Sequence, residues 1–239
     1  MASTAAGDGS RPGVEGRRPH DPRVVGDAPA RLRADAAHNR RALLDAASAT
    51  FAEEGMDASI ARIAARAGIG KGTVFRHFAT KQHLVVAIFC DRLDRLADLG
   101  AELSTAPDPA AALSEFMTVG VEQQASDRSF CQAATGDTRN DPAVRAASVR
   151  LAEVAETLTA RARDAGSIRA DVTGQDVVLL LGAACQAAAP VAATAPELWR
   201  RYLALIFDGL RPQAAHPLPH PAPTRTQLAD EAAAAGSAG

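Results

Sequence analysis

At 239 residues, 47% of them hydrophobic but only 4% aromatic, the chain has room for one or two domains and a substantial buried core. No stretch alternates apolar and polar residues for long enough to make a strand, which excludes a β-rich fold and leaves an all-α protein. The formal net charge of −2 names no partner by itself.

The placement of charge is more informative. Between Arg31 and His83 nine basic residues face five acidic ones, whereas Leu84 to Arg211 carries twelve against seventeen. Both lysines of the chain, Lys71 and Lys81, fall in the basic part. A basic head on an acidic body suits a DNA-binding module attached to a regulatory one.

Residues 1–33 are rich in Gly, Pro, Ala and Arg and read as a disordered basic arm without the apolar run of a signal peptide. Arg17, Arg18, Arg23, Arg31 and Arg33 are a candidate minor-groove thread, with a solvated tail as the alternative. A first helix is expected from about Ala34 to Gly55, with Leu43, Ala47 and Phe51 spaced by four on its buried face. Ser59 can cap a second helix, in which Ile60, Ile63, Ala64 and Ala67 share one side. Gly68 stands where that helix must end, because glycine tolerates the left-handed backbone of such a stop. A third helix from Lys71 to Phe78 buries Val74 and Phe78, and its other faces carry Lys71, Thr73, Arg76 and His77, donors suited to phosphates and base edges. Phe51 is expected to pack on Ile63 and Phe78.

The glycines around Lys71 invite other readings. A phosphate-binding loop needs G-x4-G-K-[ST], but Ala65 stands for its first glycine and Gly72 follows the lysine. A dinucleotide fingerprint opening at Gly68 meets Thr73 in place of its third glycine and lacks a preceding strand. An ordinary helical hairpin stays open on these residues alone.

Further along, Thr80 can cap a long fourth helix to about Leu103, striped by Leu84, Val85, Ile88, Phe89, Leu93 and Leu96. Pro107 and Pro109 break the chain before a fifth helix, about Ala110 to Ala125, with Leu113, Phe116, Met117, Gly120 and Val121 on one side. After a polar connection in which Phe130 to Ala134 can form a turn of helix, Asp141 and Pro142 open a helix ending near Gly166. Asp171-Val172-Thr173 then leads into VVLLLGAACQAAA, apolar nearly all round and read as a buried helix rather than a membrane span because Gln186 and Pro190 interrupt it. Pro196 is expected to start a final helix with Leu198, Tyr202, Leu205 and Ile206 on one face. Residues 212–239 read as a disordered tail, whose prolines keep His216 and His220 from aligning on a metal. Cys90, Cys131 and Cys185, odd in number and far apart, read as core thiols of a reducing cytoplasm, and no cofactor or metal site is expected.

From about Asn39 to Leu93 the chain resembles the amino-terminal domain of the tetracycline-repressor (TetR) family. RRALLDAASATFAEEGMDA is similar to that family's first helix and its exit, and SIARIAARAGIGKGTVFRHFATKQHLVVAI to its second to fourth. The resemblance implies a three-helix helix-turn-helix head, here 34–79, followed by an effector-binding and dimerisation domain of about five to six helices, here 80–211. It makes Lys71 to Phe78 the recognition helix and Lys81 a phosphate contact. Two departures stand out: Phe75 replaces a tyrosine whose hydroxyl commonly reaches phosphate, and Gly70 replaces a capping Ser or Thr.

The resemblance further implies a homodimer, built by pairing the two closing helices with their copies, that binds double-stranded DNA at a palindromic operator as a repressor. A small-molecule effector would release it by swinging the fourth helix. DNA-contact candidates are Lys71, Thr73, Phe75, Arg76, His77 and Lys81, with Arg41 or Arg62 as further phosphate holders; Phe89, Phe116, Met117 and Phe130 are candidates to line an effector pocket, or plain core. The alternative class is an α-helical adaptor or a small helical enzyme, but no Ser/His/Asp order, carboxylate pair or HExxH spacing supports catalysis.

Overall fold

The computed structural model describes residues 28–126, 138, 140–224 and 227, the first eleven by backbone alone. Phe130, Cys131 and the arginines of the expected arm before residue 28 lie outside the described residues, as do the side chains of Arg31 and Arg33. Residues 28–39 belong to one unit, and the chain from Arg40, which carries both apolar cores, forms another. Among the described residues there are eight α-helices and no strand.

Helix α1 (Ala28–Glu54) starts earlier than the expected Ala34. Its first residues are alanines, arginines and a leucine, all strong helix formers, around Pro29, which is tolerated in the first turn because its missing N–H has no partner to lose. Gly55 ends it at φ +77°. Helix α2 (Ile60–Arg66) is capped by Ser59, whose Oγ accepts from the Arg62 amide at 3.2 Å, and stops at Gly68, φ +68°. Helix α3 (Lys71–His77) follows after two residues. Thr80 caps α4 (Lys81–Leu103) by accepting from the His83 amide at 3.1 Å.

In the body, Asp108 caps α5 (Pro109–Ser126) through the amides of Ala110 and Ala111, and Asp141 caps α6 (Pro142–Asp164) through that of Ala143. Thr173 and Asp176 form a reciprocal capping box at α7 (Gly174–Ala188). The last helix, α8 (Trp199–Leu210), begins three residues after the expected Pro196. Backbone bonds from Leu198 to Ala195, Arg200 to Glu197 and Arg201 to Leu198 each span three residues, so tight turns precede the regular helix. Its core face is Trp199, Leu203 and Leu210; of the residues expected to share one face, Leu198, Tyr202 and Ile206 pack partly buried against that core and Leu205 is 55% exposed. Beyond Arg211, where the sequence reads as disordered, Pro212–Ala214 makes a 3-10 turn and Arg169 donates to the carbonyl of His216.

Two apolar cores result. One gathers Leu43, Phe51, Ile63, Val74, Phe78, Leu84 and Ile88 from α1 to α4, with Phe51 joining Ile63 and Phe78 as expected. The other gathers Leu96, Leu113, Phe116, Met117, Leu158, Leu181 and Trp199 from α4 to α8. Helix α4 therefore contributes to both. Arg95 ties it to Asp45 of α1 at 2.6 Å, and Arg150 of α6 reaches its Asp94 and Asp98 at 2.9 and 2.5 Å.

Candidate nucleic-acid interface

The outer surface of α3 follows from what its inner surface buries. Val74 and Phe78 are withdrawn into the first core, so residues rotated away from them must face outward: Lys71, Gly72, Phe75, Arg76 and His77 are all exposed. Thr73 is half-buried, and its amide donates to the Gly70 carbonyl at 2.8 Å to close the first turn. Gly70 offers no side-chain cap, as its residue type requires. The chain thus presents a short cationic rod on an aliphatic and aromatic wedge, with Arg40 stacked behind it at 5.3 Å from the Phe78 ring.

Among the described residues neither Lys71 nor Arg76 has an ion-pair partner, so their charge is available to an anion. The Lys71 ammonium lies 5.8 Å from the centroid of the Phe75 ring, and the His77 ring tilts against that of Phe78 at 6.3 Å. Lys81 is held differently. Its ammonium donates to the Met56 carbonyl in the turn between α1 and α2 and lies 5.5 Å from the Phe51 ring. That leaves two of its three N–H donors for another partner.

Around the rod, several basic residues are already engaged. Arg62 pairs with Glu54 at 2.8 Å, and Arg66 takes both oxygens of Glu53, at 2.5 and 2.9 Å. The hydrogen bonds from Arg66 hold the Glu53 carboxyl below the usual carboxylate range and raise the guanidinium in return. Arg41 stands 3.9 Å from Asp91. These carboxylates were missed in the sequence, where Glu53 and Glu54 are only the acidic end of a helix; their partners lie thirteen and eight residues away, beyond any helical spacing.

Three of the four residues expected to line a pocket are described. Phe116 and Met117 are fully buried in the second core, whereas Phe89 packs half-buried against the first. Cys90 is half-buried, its thiol pushed up by burial and by Asp94 and Asp141.

Comparison with known proteins places this geometry. Residues 43–88 match the family model of bacterial regulatory proteins of the tetR family, and residues 108–212 match that of the carboxy-terminal domain of SbtR-like transcriptional regulators. The crystal structure of a TetR transcription regulatory protein from Mycobacterium vanbaalenii is 38% identical, with 75% of this chain and 99% of that one covered at a TM-score of 0.60. The TetR transcriptional regulator SCO0520 from Streptomyces coelicolor is 30% identical, covering 73% and 99% at a TM-score of 0.58. The HTH-type transcriptional repressor Rv1474c of Mycobacterium tuberculosis is 28% identical over 182 residues, 73% of this chain and 81% of its own length.

Proposed function

Because the chain belongs to the TetR family, and is therefore a DNA-binding transcriptional regulator and not an enzyme, we propose that it acts as a cytoplasmic homodimeric repressor released from a palindromic operator by a small molecule. The observation that carries the reading is the outward face of α3, where Lys71, Arg76 and His77 stand exposed on a rod anchored by Val74 and Phe78.

Two such rods, one per protomer, enter successive major grooves about 34 Å apart. Arg76, Thr73 and His77 meet base edges, and Lys71 serves base or phosphate. Lys81 reaches phosphate with the donors that Met56 leaves over. The dimer forms through α7 and α8: Leu179 and Leu205 are 48% and 55% exposed, and Ala183 and Ala187 beside them let a second helix approach closely. An effector binds in the body, among α4 to α7, and shifts α4, which carries side chains of both cores. By linkage it must favour the DNA-free arrangement through its own differential affinity, typically about 1–3 kcal/mol.

A mobility-shift titration against DNA from immediately upstream of the coding sequence tests this. Arg76→Ala is expected to alter sequence preference, and Lys81→Ala to weaken binding to all duplexes and flatten its salt dependence by about one phosphate. A chain that ignores duplex DNA in dilute salt overturns the proposal.

A further inference from the structure

Phe75 is an anomaly on an otherwise cationic surface. Among the described residues of the first core's helices it is the large apolar side chain left exposed, at 46%. It occupies the middle of the outward face, at i+3 from Gly72, i+4 from Lys71 and i−1 from Arg76. It is not a member of the first core, whose wedge Val74 and Phe78 supply on the other side.

Gly72 is anomalous in the same place. A glycine within a helix costs roughly 0.5–1 kcal/mol relative to alanine. Its φ is not positive, and no heavy atom lies within 4 Å of where its Cβ would stand. Neither backbone strain nor internal crowding asks for glycine here, so the missing side chain leaves room for something outside the protein. Meanwhile Lys71 covers one side of the Phe75 ring at 5.8 Å, which narrows the ring's orientations before any partner arrives.

A phenyl ring can neither donate to phosphate nor hydrogen-bond a base edge. The flanking Lys71, Arg76 and His77 nevertheless commit this face to a polyanion. What a duplex offers to an apolar side chain in its major groove is the 5-methyl group of thymine. Resting on the DNA-binding reading, we propose that Phe75 is a specificity-determining residue: its ring packs on a thymine methyl in each operator half-site, and the bare Gly72 lets that base pair come close to α3.

The test isolates one methyl group. After an operator has been selected from a random duplex pool with the full chain, each thymine of a half-site is replaced in turn by deoxyuridine and affinity is measured by fluorescence anisotropy. At one position the change is expected to weaken the parent about three- to fivefold, the worth of one buried methyl. Phe75→Tyr, which keeps the ring, should keep that dependence, and Phe75→Ala should lose it. A selected operator indifferent to every methyl, or a Phe75→Ala protein as sensitive as the parent, overturns this inference while leaving the regulator reading intact. A chain that selects no duplex at all overturns both.

Discussion

The two cores of this protein are built on different principles. The first packs large side chains: Phe51, Ile63, Leu84 and Ile88 are fully or almost fully buried, and Gly55 and Gly68 serve its turns. The second brings backbones together. A Cβ on Gly120 would stand 2.9 Å from a Leu181 methyl, and one on Gly174 would stand 2.9 Å from the carbonyl carbon of Ala155 and closer still to the Glu156 backbone. The first core fixes the angle of one rod that reads an external partner, so it needs stiff wedges. The second has long helices to lay against one another, and small residues let them approach.

The largest effects should follow that division. Phe51→Ala removes the centre of the first core and is expected to cost about 3–5 kcal/mol there, abolishing DNA binding. Trp199, the sole tryptophan and a member of the second core, reports the other half. Its fluorescence midpoint in urea should barely move in Phe51→Ala; a shift as large as that of the circular dichroism would show the cores to be one cooperative unit. Gly174→Ala is the converse, since a methyl against backbone cannot be absorbed by a rotamer change. It should cost about 1–3 kcal/mol, lower the Trp199 midpoint, and leave the operator affinity of the folded fraction unchanged.

The same division governs what could be read from sequence. The first core and its rod were legible because helix, cap and stop fall within short windows: Ser59, Gly68, Thr80 and the Val74–Phe78 pair are local signals with local consequences. In the body Asp141 was legible as a cap for the same reason, whereas Asp108 and the Thr173–Asp176 box went unread. The register of α8 was not, because Leu205 and Leu203 are equally apolar and only the approach of other helices decides which faces inward. Nor were the pairings of Arg62 and Arg66, which depend on how α2 crosses the end of α1. The role of Lys81 was half legible. Its place at the start of α4 was clear, but its bond to Met56 is a product of folding.

A smaller effect tests the outward face that this register creates. Leu205→Glu should leave the monomer's Trp199 midpoint in place, since the side chain is exposed in the single chain. If α7 and α8 form the dimer surface, the substitution places a charge where an apolar contact worth about 2 kcal/mol was buried, which amounts to roughly 30-fold in the dimer dissociation constant. Analytical ultracentrifugation over a concentration series reads this directly, and an unchanged constant would move the interface elsewhere.

The smallest effect concerns the carboxylates that share the first module with its cations. Glu53 occupies Arg66 with both oxygens, so any phosphate that Arg66 meets must compete with it. Glu53→Gln keeps the shape and removes the charge. Operator affinity at about 0.1 M salt should rise two- to threefold, and the salt dependence should steepen by about one counterion. The pH dependence has a definite sign. Arg66 holds the Glu53 carboxyl below the ordinary carboxylate value, so the pair's contribution is complete above that ordinary value and is lost only as pH falls through the lowered one. Between pH 6 and 8 the pair is therefore constant, and the parent and Glu53→Gln should differ by the same factor throughout. A gap that closes within that window would assign the effect to a group other than this pair.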